Sequence, residues 1–282
     1  MNTFFLDRLN SEPHALAFAG QSTPWPVALA DQSANPALDE ALHTHAAAAQ
    51  ALLYPVSAEL LATTGRPVDL FGFEPNPARL GAAAAASASV PGIALTQLGA
   101  LLDAAALGYN PAQAKPVAVL GHSQGVLAVH MVQAICEAGS IDAAAAKIDE
   151  ILAIATLIGV AGTRQARQLG LAARHGEATP MLSVKDITRA QVDALIERVD
   201  GARGPIAVAV TNSATHYVLS GYPEDLAAFG VEVAKEHKRQ AKLREEKVRG
   251  GRVFDPTLEY LDVTLPFHSP CLLYTSDAAD DK

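Results

Sequence analysis

The sequence predicts an α/β fold: a core with a mostly parallel sheet, followed by a small subdomain inserted after it. Up to about residue 160, short apolar runs typical of buried strands alternate with longer Ala/Leu-rich runs at helical spacing. Beyond residue 180 the predicted order becomes strand, helix, strand, strand, helix, strand, which is the order of a ferredoxin-like unit. Half of the 282 residues are apolar, so the chain can bury a sizeable core.

The elements of the core follow from apolar runs and the residues that interrupt them. Apolar runs of β character predict strands over residues 15–19 and 117–120. Helical spacing predicts helices over residues 37–63, 93–107, 124–137 and 141–160. A glycine closely follows each of the first three helices, as expected where a helix stops. Residues 68–80 contain Pro75 and Pro77 and are predicted to form a loop.

The second part of the chain carries the elements of the ferredoxin-like unit. Its predicted strands are residues 181–184, 205–210, 216–220 and 259–265. Its predicted helices are residues 188–199, with Thr188 as the N-cap, and 223–244. We therefore place the core at residues 1–179, the ferredoxin-like subdomain at 180–266 and a return to the core at 267–270.

Residues 271–282 differ in character from everything before them, and we interpret them as a non-native tail that resembles translated sequencing-adaptor sequence. The chain is then expected to be a fragment that is poorly active alone.

Charge and cysteine content exclude several classes of protein. The net charge of −9 argues against a general binder of nucleic acid or anionic membranes, since either would need a basic surface. Cys136 and Cys271 are too few for a disulfide framework or a thiolate metal cluster. The N-terminal residues lack the apolar stretch of a signal peptide. We expect a soluble protein of the reducing cytoplasm with no metal site.

One motif with chemical meaning is Gly121-His122-Ser123-Gln124-Gly125, a G-x-S-x-G pattern between a predicted strand and a predicted helix. This is the setting of a nucleophile elbow, so the core is predicted to be α/β-hydrolase-like. The two glycines allow a tight turn at Ser123. The N-terminus of the following helix offers N–H groups to a developing oxyanion.

A serine hydroxyl needs a base to take its proton, and nine histidines are available. His268 stands out because it follows a predicted strand within Pro266-Phe267-His268-Ser269-Pro270, where the two prolines would fix the loop. It also lies far downstream of Ser123, as the base commonly does when the serine comes first. The other histidines lack such a setting and are better explained as ordinary core or surface residues.

The chain as a whole resembles the acyl-CoA:acyl-carrier-protein transacylase family. The resemblance is strongest to the N-terminal acetyltransferase domain of bacterial, actinobacterial type I fatty acid synthases. It rests on stretches spread over nearly all of residues 1–270, namely 17–21, 72–75, 89–97, 121–129, 157–163, 253–256 and 266–270. The resemblance implies the transacylase fold and an acyl transfer that primes fatty acid synthesis.

The resemblance also implies roles for individual residues. Ser123 would be the nucleophile and His268 the general base and then acid, held by backbone carbonyls rather than by an aspartate. The backbone N–H groups of Gln21 and Gln124 would form the oxyanion hole. The usual G-Q-G sequence of the family is Gly20-Gln21-Ser22 here, a departure that affects the geometry of this loop.

The implied mechanism is ping-pong, with acyl-CoA as donor and the phosphopantetheine thiol of an acyl carrier protein domain as acceptor. No cofactor would be bound permanently, and the other fatty acid synthase domains would be further partners.

The absence of an arginine in one segment of the chain indicates which acyl group the protein accepts. Malonyl-selective relatives hold the free carboxylate with an arginine, which binds carboxylates in a bidentate manner. Between Gly125 and Arg164 the only cation is Lys147, and the family's arginine position falls at or near Ile158. An apolar residue there would leave a malonyl carboxylate unpaired, so we predict a short neutral acyl group, most simply acetyl.

Other functions stay open at this point. One is a malonyl-selective transacylase, and another is a serine esterase or thioesterase. A hydrolase would need an acid that orients His268, for which Asp186, Asp225, Asp255 and Asp262 are loose candidates. The inserted subdomain favours transfer over hydrolysis. A catalytically inactive docking module would need a broken elbow or a missing base, and the sequence shows neither.

A last feature is the basic run over residues 235–252, which is either a solvated helix face or a patch for a phosphate-rich cofactor or an acidic carrier protein.

Overall fold

A computed structural model describes residues 8–21, 24–64, 69–72, 85–171, 178–200, 203–245 and 254–269. The tail predicted at 271–282 and most of the loop predicted at 68–80 lie outside these ranges. The chain divides into two compact units, Met1–Arg164 and Gln165–Lys282, which are described separately. The finer domain boundaries inferred from the sequence stay a prediction.

The first unit contains a parallel strand pair, as the sequence predicted. Strand β1 (Ala15–Phe18) runs parallel to β2 (Ala118–Gly121), with Phe18 opposite Gly121. Parallel strands require a long crossover, which the helices between them supply. The carboxyl ends of both strands therefore lie at the same edge of the sheet, where Gly20 and Ser123 follow them.

The helices of this part of the chain are α1 (Trp25–Ser33), α2 (Pro36–Leu52), α3 (Ser57–Thr64), α4 (Ala86–Ala106), α5 (Pro111–Ala114), α6 (Val126–Ala138) and α7 (Ala145–Gln168). Two of them correct the sequence prediction. Helix α1 was not among the predicted helices, since prolines such as Pro24 and Pro26 just after a strand are typical of a loop, although proline is well tolerated in the first turn of a helix. The helix predicted over 37–63 is broken by a 3-10 turn at Tyr54–Val56, because Pro55 cannot continue the helical hydrogen bonding.

Helix α4 is the central element of the first unit and begins seven residues before the predicted start. It runs through Pro91, and most of its side chains are buried. Gly92 allows close packing, since a Cβ there would lie 2.5 Å from the ring of the fully buried Trp25.

Within the described part of the chain, α4 is also the helix with the length and apolar character needed to cross a membrane. However, 67% of its most apolar window is buried in the protein, as in the core helix of a soluble domain.

The second unit has the predicted ferredoxin-like topology. Its strands are β3 (Met181–Lys185), β4 (Ala207–Ser213), β5 (His216–Ser220) and β6 (Thr257–Tyr260), and its helices are α8 (Arg189–Ile196) and α9 (Pro223–Glu245). The sheet order is β4-β5-β3-β6, and every pairing is antiparallel. Residues on one face of the sheet, among them Leu182 and Leu219, form a core with Phe229 of α9.

The ends of the elements in this unit show which local signals were reliable. Thr188 caps α8 in a complete capping box with Gln191, as predicted for Thr188. The last strand was predicted at 259–265 but lies at Thr257–Tyr260, so its predicted bounds are wrong. Leu261 leaves the strand and donates its N–H to the carbonyl of Met181 instead.

Helix α9 carries a buried charge. Glu236 is 7% exposed and accepts hydrogen bonds from Arg198, Arg239 and Gln240 at 2.5–3.0 Å. Hydrogen bonds from Arg239 are the largest cause that lowers the pKa of Glu236, to about 2. The network joins the segment that follows α8 to α9.

Candidate active site

Ser123 has a backbone conformation that non-glycine residues rarely adopt. Its φ of 51° lies in the left-handed region. The residue opens the 3-10 turn Ser123–Gly125, directly between β2 and α6. Such strained residues cost of order 1–3 kcal/mol and cluster at active sites. The strand, the strained serine and the helix together form the elbow that the sequence predicted.

The elbow closes because its glycines allow backbones to touch. A Cβ on Gly121 would lie 2.5 Å from the carbonyl carbon of Gly125. A Cβ on Gly125 would overlap the carbonyl oxygen of Phe18. Two hydrogen bonds fix the turn, from the N–H of His122 to the carbonyl of Phe18 and from the N–H of Gly125 to the carbonyl of His122, both 2.9 Å. These close approaches give Gly121 and Gly125 a physical role at the elbow.

The loop after β1 lies directly over the elbow. A Cβ on Gly20 would be 3.1 Å from the Cβ of Ser123 and 3.4 Å from the backbone nitrogen of Gln124. The next residue, Gln21, donates a hydrogen bond from its side-chain amide to the side-chain oxygen of Gln124. Gln124 in turn donates to the carbonyl of Val90 in α4 at 2.5 Å. The structure thus brings together Ser123 and both residues predicted to supply the oxyanion hole.

Gln97 completes this arrangement and was not singled out from the sequence. Its side-chain nitrogen donates to the carbonyl of Ala19 at 2.7 Å and so holds the loop that carries Gly20 and Gln21. The available signal was a polar amide on a largely apolar helix. That signal is weak, because nothing in the sequence tells which backbone group such an amide reaches.

His268 belongs to the second unit, whereas Ser123, Gln21 and Gln124 belong to the first. His268 also has a left-handed backbone, with φ of 56°. The preceding Phe267 packs on the cluster formed by Met181, Val218 and Val263, and its N–H donates to the carbonyl of Leu265 at 2.9 Å. His268 is therefore held in a tight turn against the antiparallel sheet.

Ile158 lies on α7 and is 46% exposed. Its neighbour Gly159 lets α7 approach the carbonyl of Ala86 at the start of α4, the helix that also holds Gln124. Lys147 lies eleven residues earlier on α7, about 16 Å along the helix axis, and pairs with Glu150 at 2.6 Å. The single cation between Gly125 and Arg164 is thus remote from Ile158.

Two of the loose acid candidates have structural partners. Asp225 is buried and accepts from the backbone N–H groups of Arg203 and Gly204, at 2.9 and 3.0 Å. Asp255 lies 3.4 Å from His237. Within the described ranges, no three His, Cys, Asp or Glu side chains come together as a metal site.

The basic run on α9 is partly neutralised within the helix, since Lys235 pairs with Glu232 and Arg239 with Glu236. This favours a solvated helix face over the binding patch, and residues 246–252 of the run lie outside the described part.

Comparison with known proteins bears on the fold and the family of the chain. Residues 180–260, which contain the four strands of the antiparallel sheet, match the family model described as the fatty acid synthase central AT domain. The fatty acid synthase beta subunit hexB of Dothistroma septosporum is 27% identical over 172 residues, which are 56% of this chain and 9% of hexB. The chain thus spans about a tenth of the length of this relative.

Solved structures show the same fold. The MCAT of Mycobacterium tuberculosis superposes with a TM-score of 0.56 and 18% identity, covering 95% of this chain and 70% of that one. A malonyl-transacylase bound to a type II PKS acyl-carrier protein superposes with a TM-score of 0.53 and 15% identity, covering 95% and 68%. The chain therefore has the transacylase fold, and its likeness to fatty acid synthase beta subunits supports an acyltransferase domain of the fatty acid synthase type.

Proposed function

We propose that this chain transfers a short neutral acyl group, acetyl above all, from CoA to the phosphopantetheine thiol of an acyl carrier protein. The observation that carries the proposal is the left-handed Ser123 at the strand-turn-helix junction, with the loop of Gly20 and Gln21 against it. Ser123 lies at the start of a helical segment, where free backbone N–H groups suit an oxyanion, and this supports covalent acyl transfer. The match to the central AT domain supports transfer within a fatty acid synthase.

In the first half-reaction, the Ser123 oxygen attacks the thioester carbonyl while His268 takes the hydroxyl proton. The carbonyl oxygen becomes an oxyanion that accepts hydrogen bonds from the backbone N–H groups of Gln21 and Gln124. One such donor stabilises the transition state by about 3–4 kcal/mol. The C–S bond then breaks, and the proton on His268 passes to the CoA thiolate.

The second half-reaction runs through the same groups in reverse. His268 takes the proton of the pantetheine thiol, and the sulfur attacks the acyl-serine carbonyl. Collapse of the second oxyanion breaks the ester bond and returns the proton to Ser123. The carrier protein domain and the other synthase domains are the partners in this proposal, the compartment is the cytoplasm, and no permanently bound cofactor takes part.

The preference for a neutral acyl group rests on Ile158. A carboxylate beside this isoleucine would lack an adjacent partner, since Lys147 lies three turns earlier on α7 and pairs with Glu150. Arg164, six residues after Ile158, pairs with Glu59 at 3.6 Å. A malonyl-selective transacylase is the second candidate, because malonyl transacylases are among the proteins that share the fold.

The test is acyl loading of the protein with acetyl-CoA and with malonyl-CoA, read by mass spectrometry of the Ser123 peptide. We expect an acetyl adduct at Ser123, abolished in Ser123→Ala and retained in Ser57→Ala, a change at an exposed serine of α3. Preferential malonyl labelling would assign the second candidate. An adduct discharged faster by water than by pantetheine would assign a hydrolase.

A further inference from the structure

Helix α4 supports the candidate oxyanion hole at two points that lie two turns apart. Val90 accepts from the Gln124 side chain through its backbone carbonyl. Gln97, seven residues later, donates from its side chain to the carbonyl of Ala19. Residues seven apart face the same side of a helix. One rigid element therefore holds both the elbow residue Gln124 and the loop that leads to Gln21.

The hydrogen bond from Gln97 holds a loop that close contacts already restrict in its movement. Ala19 precedes Gly20, which lies against the carbonyl of His122 and the Cβ of Ser123. Gln21 follows and is tied to Gln124 by its side chain. The loop is thus fixed on one side by Gln124 and on the other by Gln97, with Ser123 beneath it.

The orientation of the Gln97 amide follows from its partner. The carbonyl of Ala19 can only accept, so the Gln97 nitrogen must point toward it. The Gln97 oxygen is then buried, and within the described ranges it has no hydrogen-bond partner. A buried amide oxygen without a partner is unfavourable for folding, so the Gln97 amide contributes less to stability than a fully satisfied amide would.

Gln32 provides a matched comparison, because its side chain also makes a hydrogen bond that involves α4. Its amide nitrogen donates to the carbonyl of Thr96 in α4 at 2.8 Å, and its oxygen is likewise buried without a partner in the described part. Gln32 lies in α1, and its bond joins α1 to α4 rather than holding the loop of Gly20. The two glutamines therefore make the same kind of hydrogen bond. The acceptor of Gln97 belongs to the loop of Gly20 and Gln21, whereas the acceptor of Gln32 belongs to α4.

We propose that Gln97 is a positioning residue of the oxyanion hole, acting through the carbonyl of Ala19 on the backbone N–H of Gln21. This inference rests on the proposed function of Ser123 and the loop. Gln97 does not need to touch the substrate. Removing the Gln97 side chain frees the loop to move, and misplacement of a catalytic group by 1 Å costs about 10²-fold in rate.

The experiment compares Gln97→Leu with Gln32→Leu in the otherwise unchanged protein. Two readouts are used: the rate of Ser123 acetylation by acetyl-CoA over a range of concentrations, and the rate of Ser123 labelling by a fluorophosphonate, whose P=O group occupies the same oxyanion hole. Circular dichroism and thermal unfolding establish that both variants are folded.

For Gln97→Leu we expect both maximal rates to fall about 10- to 100-fold, with half-saturation by acetyl-CoA and the midpoint of unfolding little changed. For Gln32→Leu we expect both rates within about twofold of wild type. Equal losses in the two variants, or unchanged labelling of Gln97→Leu, would overturn the inference. Labelling by the fluorophosphonate without acetylation by acetyl-CoA would instead refute the proposed function, while the comparison of labelling rates would still decide the role of Gln97.

Discussion

Gly20 lies so close to Ser123 that a residue with a side chain would not fit at position 20. A Cβ on Gly20 would lie 3.1 Å from the Cβ of Ser123 and 2.7 Å from the carbonyl oxygen of His122. The second distance is shorter than real Cβ contacts, and its partner is backbone, so an alanine at Gly20 must displace either the loop or the elbow.

We therefore expect Gly20→Ala to slow acylation of Ser123 by at least about tenfold, equivalent to ~1.4 kcal/mol of transition-state stabilisation. Single-turnover loading from acetyl-CoA measures this directly. The control is Gly230→Ala in α9, where the nearest atom to the new Cβ is 3.7 Å away. That variant should load normally and gain up to about 1 kcal/mol of stability, because alanine is the better helix former. Normal loading by Gly20→Ala would show that the loop yields without consequence for the oxyanion hole.

The left-handed backbone of Ser123 predicts that a non-glycine residue at this position lowers the stability of the fold, a cost that is accepted because the serine is needed for activity. Glycine adopts φ near 51° without strain, whereas alanine does not. Ser123→Gly and Ser123→Ala both remove the hydroxyl, so the difference between them isolates the strain. We expect Ser123→Gly to be more stable than Ser123→Ala by about 1 kcal/mol, measured by urea denaturation, with neither variant forming an acyl-enzyme. Equal stabilities would mean that the turn relaxes when the serine is replaced.

Much of the fold could be predicted because its signals are local. The parallel pair of β1 and β2, the elbow and the βαββαβ order each follow from apolar runs broken by turn residues. The capping box at Thr188 is local as well, since Thr188 and Gln191 are three residues apart.

Two of the misses occurred where distant packing decides. Helix α1 begins among prolines because Trp25 is buried against Gly92, far along the chain. The Gln97 bond spans 78 residues, so the sequence shows a polar amide but not the backbone group that it reaches.

The network at Glu236 predicts a pH dependence of stability with a defined sign. The pKa of Glu236 is lowered from 4.5 to about 2, first by hydrogen bonds from Arg239. As the pH falls, the Glu236 carboxylate therefore takes up a proton at a higher pH in the unfolded chain than in the folded chain. The resulting stabilisation is fully present above about pH 4.5 and is lost as the pH falls toward 2, and it amounts to about 3 kcal/mol.

We expect Glu236→Gln to lower the free energy of unfolding by about that amount at pH 7, and the gap to wild type to narrow below pH 4.5. Denaturation by urea across this pH range measures both effects. The control is Glu259→Gln, since Glu259 is mostly exposed in its pair with Lys185. Exposed pairs contribute about 0–1 kcal/mol, so this variant should stay close to wild type. If the difference in free energy of unfolding between wild type and Glu236→Gln did not change with pH, the lowered pKa of Glu236 could not be its cause.

The proposed acyl preference can be reversed at Ile158. This side chain is 46% exposed on α7, so an arginine there can reach solvent and should not disturb the core. If Ile158 borders the acyl group, the new guanidinium can pair with a malonyl carboxylate. We expect Ile158→Arg to raise the ratio of malonyl to acetyl loading by at least about tenfold, because a charged hydrogen bond contributes about 1.5–3 kcal/mol.

The matched control is Ile154→Arg, one turn earlier on the same helix and 48% exposed. It adds the same charge to α7 but displaces it by about 5–6 Å along the axis, so a specific pairing at position 158 should not be reproduced. A similar gain in both variants would point to general attraction of the anionic substrate. If neither variant raised the ratio of malonyl to acetyl loading, Ile158 would not border the acyl group. The preference for a neutral acyl group would then depend on other residues around Ser123.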